Sequence, residues 1–221
     1  MNGSDIKTLQ TVQLFHGYSS TEIGQLISGA EGVILEYSTD EILLLRGEKL
    51  RSIGIVLKGR LTGVIETEEG QVTVVNELNK GSVFGDVLSG SSGSSPVTVK
   101  TMEPSRVLWI ELKRILQLSG KAVDNIRFLM NFIEEISDKY FTLSKRVRIM
   151  SERKLRIRIL EYLTQLKKEQ GTETIVLPQK NRSELADFLA CDRAALSREL
   201  GNLQRDGYLT VHRNQISINK L

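Results

Sequence analysis

Residues 181–207 read NRSELADFLACDRAALSRELGNLQRDG, and this stretch decides how the C-terminal part of the chain folds. Asn181, with Glu184 three residues later, resembles a capping box, so a helix is predicted to begin there. Its short apolar face ends by Ala190, and Asp192 then offers a second N-cap for a helix that Gly207 terminates. Two helices joined by a turn of about three or four residues form a helix-turn-helix.

The second of these helices has two different faces. Leucines 196, 200 and 203 form the apolar face, and small or basic side chains project away from it. Such a face fits the major groove of DNA, about 12 Å wide, where an arginine can donate two hydrogen bonds to a guanine. The residues predicted to read bases are Arg193, Ala194, Ser197 and Arg198. Those predicted to contact phosphates are Asn181, Arg182, Arg205 and Arg213.

Two further features support this interpretation over an ordinary helical hairpin inside a larger protein. Residues 208–211 and 215–218 form two short β runs, which predict a wing after the second helix. Residues 146–221 hold 15 Lys and Arg against 9 Asp and Glu, whereas residues 1–145 hold 15 against 18. A basic C-terminal third indicates a polyanionic partner, although a well-solvated basic surface has the same composition.

A long amphipathic helix is predicted upstream, because no Pro or Gly occurs from residue 121 to residue 170. Apolar residues recur there at alternating spacings of three and four, the heptad pattern of a coiled-coil seam. The seam consists of Ile126, Leu129, Ile133, Ile136, Tyr140, Leu143, Val147 and Met150. Its period favours pairing with a second copy of the helix over packing on the chain's own β domain. A hinge is predicted at residues 150–153, before a second amphipathic helix that ends near Gly171.

The N-terminal half shows a different pattern, because 15 of the 18 glycines lie at or before Gly120. Short runs rich in Val, Ile and Thr alternate there with turn residues, which is typical of a compact β sandwich or barrel. Predicted strands are 42–45, 53–57, 61–65, 72–75, 97–101 and 107–110, with a hairpin tip at residues 68–70. We therefore predict an α+β protein: a jelly-roll-like β-roll at 1–120, a dimerisation helix at 121–150 and a winged helix-turn-helix at 151–221.

Composition excludes several other classes of protein. One cysteine cannot build a disulfide framework or a cluster that needs several thiolates, and His16 and His212 are the only histidines. No metal or other cofactor is therefore expected, and a cupin-like oxygenase would need a His and carboxylate triad that two distant histidines do not supply. No stretch approaches the ~18 apolar residues of a membrane span. We expect a cytoplasmic protein that is not an enzyme and has no membrane partner.

The order of these parts resembles the Crp/Fnr family of bacterial transcription regulators. The resemblance covers nearly the whole chain, and its specificity lies in the order and spacing of short motifs. These motifs are Gly47-Glu48, Ile55-Val56-Leu57-Lys58-Gly59, Lys80-Gly81 with Phe84-Gly85-Asp86, Ser95-Pro96-Val97-Thr98-Val99, and Cys191-Asp192-Arg193 with Ser197-Arg198. The resemblance implies a homodimer on a palindromic DNA operator, a small-molecule effector in the β-roll, and RNA polymerase as a further partner.

The chain departs from cyclic-AMP-binding members of that family at two places. Their Gly-Glu pair corresponds to Gly85 and Asp86, and their phosphate-binding Arg-Ser pair falls on Ser95 and Pro96. Because the cationic partner of the phosphate is missing and proline has no N–H, cyclic AMP is not expected to bind in the usual way. Residues predicted to line the effector pocket are Arg46, Gly85, Asp86, Val87, Ser95, Pro96, Tyr140 and Phe141.

The predicted reading of DNA also differs from relatives that recognise TGTGA- or TTGAT-like half-sites. Those relatives carry a Glu at the position of Ala194, and a methyl group can contact a thymine but cannot accept from a cytosine. The operator should therefore differ at that base pair. The alternative function is a ligand-binding or protein-interaction regulator that has lost DNA binding.

Overall fold

The computed structural model describes residues 1–66, 70–90, 92–118, 125–179, 181–212 and 215–220. The chain divides into two compact units, Met1–Asp138 and Lys139–Leu221. The division falls inside one long helix, Asn125–Ser151. Each unit has its own buried core.

The first unit begins with helices and continues as a β-roll. Its helices are α1 (Gly3–Leu9), α2 (Ser20–Gly29), α3 (Asp86–Ser89), α4 (Leu112–Gln117) and the start of α5 (Asn125–Ser151), with a 3-10 turn at Gln13–Phe15. Its strands are β1 (Val33–Tyr37), β2 (Ile42–Leu44), β3 (Ser52–Lys58), β4 (Leu61–Glu66), β5 (Val72–Leu78), β6 (Val83–Phe84), β7 (Thr98–Thr101) and β8 (Ser105–Glu111).

The strands form two four-stranded antiparallel sheets, ordered β1-β8-β3-β6 and β2-β7-β4-β5. Alternate residues of β3 point to opposite faces, as a strand buried on both sides requires. Ile53 and Ile55 join a core shared with Phe15 and Phe128 from the helices. Val56 joins a second core with Leu61 of the other sheet. The first sheet is therefore covered by helices on one face and by the second sheet on the other.

The second unit contains the remaining elements. They are the end of α5, α6 (Leu155–Gln170), β9 (Thr174–Val176), α7 (Arg182–Phe188), α8 (Arg193–Arg205), β10 (Leu209–His212) and β11 (Gln215–Ile218). Its three strands pair antiparallel in the order β10-β11-β9. Leu163 of α6, Leu185 of α7, Leu196 of α8 and Ile216 of β11 share one buried cluster. A three-helix core beside a small sheet is the architecture of a winged helix-turn-helix.

The predicted α+β architecture of β-roll, long helix and winged helix-turn-helix is confirmed, and each of the six predicted strands is present. Strands β1, β6 and β9 and helices α1 to α4 were not predicted. Two of the three residues predicted as a hairpin tip, 68 and 69, lie outside the described residues, as does the predicted domain boundary at 120 and 121. The boundaries of the three predicted domains stay a prediction.

Candidate nucleic-acid interface and sensor pocket

The helix-turn-helix is built by local capping contacts. Asn181 has an extended backbone, and its side chain accepts a hydrogen bond from the N–H of Glu184 at 3.0 Å. Helix α7 then stops because Ala190 turns the chain with a φ of +49°, a left-handed conformation that is rare for a residue with a Cβ. The N–H of Cys191 closes the turn by donating to the carbonyl of Ala186 at 3.0 Å. The resulting turn sets the direction in which α8 leaves.

Helix α8 begins at the N-cap that the sequence predicts. One carboxylate oxygen of Asp192 accepts from the N–H groups of Ala194 at 2.7 Å and Ala195 at 3.0 Å. Leu196 and Leu203 are fully buried, and the small Ala186 of α7 is buried in the same core. This packing fixes which face of α8 remains open to solvent.

The open face of α8 carries the residues predicted to read bases. Arg193, Ala194, Ser197 and Arg198 are all exposed. Within the described ranges, neither Arg193 nor Arg198 has a hydrogen-bond or ion-pair partner for its guanidinium group. Two uncompensated positive charges on one exposed helix face can donate to the bases or phosphates of a nucleic acid.

Two other arginines of this unit, Arg158 and Arg156, form hydrogen bonds and ion pairs that stabilise the fold. The guanidinium of Arg158 on α6 donates to the carbonyls of Leu189 at 2.7 Å and Ala190 at 3.1 Å, so it caps the end of α7. Its neighbour Arg156 pairs with Asp206 at 2.6 Å, beside the end of α8. Sequence reasoning noted both arginines only as part of a basic segment, because their partners lie between 31 and 50 residues away.

Arg156 holds α8 through more than one contact. Its guanidinium also lies 3.5 Å from the carboxylate of Glu199, in the middle of α8, and 5.1 Å from the centre of the Tyr208 ring. The hydrogen bond to Asp206 raises the pKa of Arg156 above its ordinary value, so this guanidinium keeps its charge. Arg156 therefore connects α6 to α8 and to Tyr208, which precedes β10.

The predicted phosphate contacts differ in their surroundings. Arg205 is exposed at the end of α8, where it donates to the side chain of Asn202. Asn181 is exposed, and besides capping α7 its amide nitrogen donates to Glu184 at 3.0 Å. Arg182 is half-buried, and this burial lowers its pKa from the ordinary value. Arg213 falls between the described ends of β10 and β11, outside the described residues. The four phosphate assignments stay predictions.

Among the residues predicted to line the effector pocket, Gly85 lies between β6 and α3. This glycine caps the short helix α3 with a φ of +71°, and a Cβ there would lie 2.4 Å from a methyl group of Leu50. Both the conformation and the close approach therefore require glycine. Asp86 beside it is buried, and Val87 is exposed. Gly85 and Asp86 thus form a tight turn that ends β6.

Ser95 and Pro96, which are also predicted to line the effector pocket, lie just before β7, and Pro96 is exposed. Ser95 is buried, and its backbone pairs with residues 47 and 48 at 2.8 and 2.7 Å. The hydroxyl of Ser95 donates to the carbonyl of Val97 at 2.7 Å, so its proton is used in a hydrogen bond within the protein. Arg46 is exposed, and its guanidinium donates to the carbonyl of Glu66 at 3.4 Å.

Aromatic side chains lie between the two sheets, a feature that the sequence analysis missed. The indole N–H of Trp109 donates to the phenol oxygen of Tyr37 at 2.8 Å, and the ring of Phe84 packs edge-on against Trp109 at 5.2 Å. Burial raises the pKa of Tyr37 above its ordinary value. Trp109 is the single tryptophan of the chain, so its fluorescence reports on this core.

The predicted seam on α5 is largely exposed in the single chain. Ile126 is 71% exposed, Ile133 50% and Leu143 61%, whereas Phe128 and Phe132 on the opposite face are buried in the first unit's core. The other seam residues are Leu129 and Ile136, which are half-buried, and Tyr140, Val147 and Met150, which are exposed. Met130 and Phe141 are exposed beside the seam, and the Phe141 ring packs edge-on against Tyr140. The exposed apolar face is therefore wider than the heptad pattern indicates.

The described ranges contain neither a cluster of metal-ligating side chains nor a helix suited to a membrane. Within them, no three or more His, Cys, Asp or Glu side chains are grouped so that they could hold a metal ion. None of the described helices combines the length and apolarity that crossing a membrane requires.

Comparisons with known proteins give two domain matches. Residues 34–121 match the family model of the cyclic nucleotide-binding domain, and residues 157–221 match that of the Crp-like helix-turn-helix domain. The chain is 22% identical to the cAMP-activated global transcriptional regulator CRP of Salmonella typhimurium, over 84% of this chain and 89% of that protein.

Two solved structures have the same fold. CprK complexed with OCPA is 22% identical, with a TM-score of 0.62, and the match covers 90% of this chain and 93% of that one. The c-di-GMP-responsive global regulator CLP of Xanthomonas campestris is 20% identical, with a TM-score of 0.57, and the match covers 92% of this chain and all of that one.

Proposed function

Because the chain belongs to the Crp/Fnr family of bacterial transcription regulators, we propose that it is a homodimeric regulator whose α8 reads a palindromic DNA operator. The observation that carries this proposal is the exposed face of α8, on which Arg193 and Arg198 have no partner within the described ranges. An arginine that the fold does not use is free for guanine or phosphate. The protein works by binding and not by catalysis.

The exposed face of α5 supports the homodimer. A stripe of exposed apolar side chains along a long helix is costly in water, and a second copy of the same helix would bury it. The proposed occupant is a second copy, because the 3.5-residue period matches a left-handed two-helix coil and an identical helix carries the same apolar stripe with the same period. Two recognition helices held roughly 34 Å apart then enter successive major grooves on one side of the duplex.

The three parts of the chain have separate tasks in this proposal. Residues 1–120 bind the effector, 121–150 form the dimer helix and 151–221 bind DNA. Neither Ser95 nor Pro96 carries a cation for a cyclic phosphate, Pro96 has no backbone N–H, and the N–H of Ser95 already donates to the carbonyl of Glu48. The proposed effector is therefore a small molecule, and cyclic AMP is not expected to bind in the usual way. Tyr140 and Phe141 are proposed to link effector binding to the dimer seam, and RNA polymerase is the proposed partner at the promoter.

The experiment that tests DNA binding selects duplexes from a random pool with the purified chain, with and without cell metabolites. The selected operator should be palindromic, and its affinity should fall steeply with salt because phosphate contacts release counterions. Arg193→Ala and Arg198→Ala should each weaken binding about 10- to 100-fold and relax selection at one base pair. Arg51→Ala, which removes an exposed arginine from the first unit, is the matched control and should leave affinity unchanged.

A chain that selects no sequence and binds no duplex in a salt-dependent way would favour the alternative, a regulator that has lost DNA binding. Sedimentation tests the dimer separately. Ile133→Asp should give a monomer. Ile42→Asp is the matched control, because Ile42 is 51% exposed and Ile133 is 50% exposed, and it should leave the dimer intact. A wild-type chain that sediments as a monomer at high concentration would contradict the operator model.

A further inference from the structure

Gly201 is the ninth of the 13 residues of α8, and the fold of its own unit does not require a glycine there. It is not among the glycines with a positive φ, so its backbone suits any residue. A Cβ built on it meets no heavy atom of a described residue within 4 Å outside the neighbouring helix backbone. Glycine is the least favourable residue after proline in a helix interior. The chain therefore keeps a destabilising residue at a position where alanine would fit.

The position of Gly201 points to the reason. It is exposed and lies four residues after Ser197 and three after Arg198, so it shares the face of α8 that carries the predicted reading residues. In the first turns of this face arginine side chains extend into solvent. One turn later the surface of the helix is bare backbone.

We infer that Gly201 is a close-approach position, at which one sugar–phosphate strand of the DNA packs directly against the backbone of α8. This inference rests on the proposed function. A recognition helix places its N-terminal residues against base edges, and its later turns run beside the wall of the major groove. Without a side chain at Gly201 the helix lies closer to that wall. Arg193 and Arg198 then reach the base edges from a smaller distance.

The role assigned to Gly201 is steric. Its substitution removes no charge and no hydrogen-bond donor, so the number of counterions released on binding should not change. A methyl group at this position would instead hold the whole helix away from the groove. Contacts made by the other residues of the face would lengthen together, and affinity for the selected operator and for unrelated duplexes would both fall.

Gly201→Ala tests this inference, with Gly24→Ala as the matched control. Gly24 lies inside α2, has no positive φ, and a Cβ there also meets no heavy atom of a described residue within 4 Å. Both substitutions should raise the unfolding midpoint of the unit that carries them, by about 2–8 °C for Gly201→Ala in the smaller second unit and by less for Gly24→Ala in the larger first unit. Only Gly201→Ala should weaken binding to the selected operator, by about tenfold or more, with the slope of affinity against salt unchanged.

Three results would overturn the inference. The first is a Gly201→Ala chain that binds the operator within twofold of wild type. The second is a lower unfolding midpoint for Gly201→Ala, because the fold itself would then require the glycine. The third is a wild-type chain that binds no duplex, which also overturns the proposed function. The third result can be distinguished from the first. In the first result the wild-type chain and Gly24→Ala both bind the operator, whereas in the third result the wild-type chain binds no duplex.

Discussion

Arg158 offers a prediction that separates a structural arginine from a DNA-binding one. Its guanidinium is half-buried on α6 and donates to two carbonyls at the end of α7. A helix C-terminus carries partial negative charge on its free carbonyls, which a cation stabilises. A hydrogen bond to a charged group contributes about 1.5–3 kcal/mol, and the second, longer bond lies at an exposed site and contributes less. Arg158→Met, which keeps the aliphatic stem, should therefore lower the free energy of unfolding by about 2–3 kcal/mol.

Two measurements check this prediction. Urea unfolding followed by circular dichroism gives the loss of stability, and operator binding at several salt concentrations gives the number of phosphate contacts. Arg158→Met should lose stability while the salt slope of the remaining folded protein stays the same. Arg158→Lys keeps the charge with a smaller donor, so it should recover part of the stability. Unchanged stability with a salt slope smaller by about 0.9 would refute the reasoning, because Arg158 would then contact a phosphate.

Three further predictions concern other parts of the chain. Ala190→Gly should raise the free energy of unfolding by up to about 1 kcal/mol, since Ala190 has a φ of +49°, and a lower urea midpoint would contradict this. Burial raises the pKa of Tyr162 to about 12. The phenol of Tyr162 loses its proton near pH 10 in the unfolded chain but keeps it in the folded chain, so the free energy of unfolding should fall from pH 10 to pH 12. Unfolding curves measured across that range should show a smaller fall for Tyr162→Phe. Titration with cyclic AMP, followed by the fluorescence of Trp109, should show no sub-micromolar binding, because Ser95 and Pro96 provide no cation; a sub-micromolar Kd would refute this.

The helix-turn-helix could be predicted closely from the sequence because its determinants are local. The N-caps at Asn181 and Asp192 each contact backbone two or three residues away, and both helices begin where these caps predict. Six of the eight β-roll strands were predicted, because short Val- and Ile-rich runs separated by glycines have few other structures available. Helices α1 and α2 were missed although each begins with a capping box, at Asn2 and at Ser19.

The contacts that could not be predicted from the sequence join residues that are distant along the chain. Arg156 is separated by 50 residues from Asp206, and Trp109 by 72 from Tyr37. No periodicity or spacing records such pairs, since they depend on how whole elements pack. The sequence therefore indicated that residues 146–221 are rich in Lys and Arg. It could not distinguish the arginines that stabilise the fold from those on α8 that have no partner within the described ranges.

The separation between these two groups of arginines bears on how regulators of this kind diversify. Helix α8 is held in place by its buried leucines, by the cap at Asp192 and by Arg156. The side chains at 193, 194, 197 and 198 make no side-chain hydrogen bond within the described ranges. Under the proposed function, exchanging those four side chains would change which promoter is bound and leave the scaffold intact. After gene duplication, a copy could thus drift towards new target genes through single mutations, each tolerated by the fold along the way.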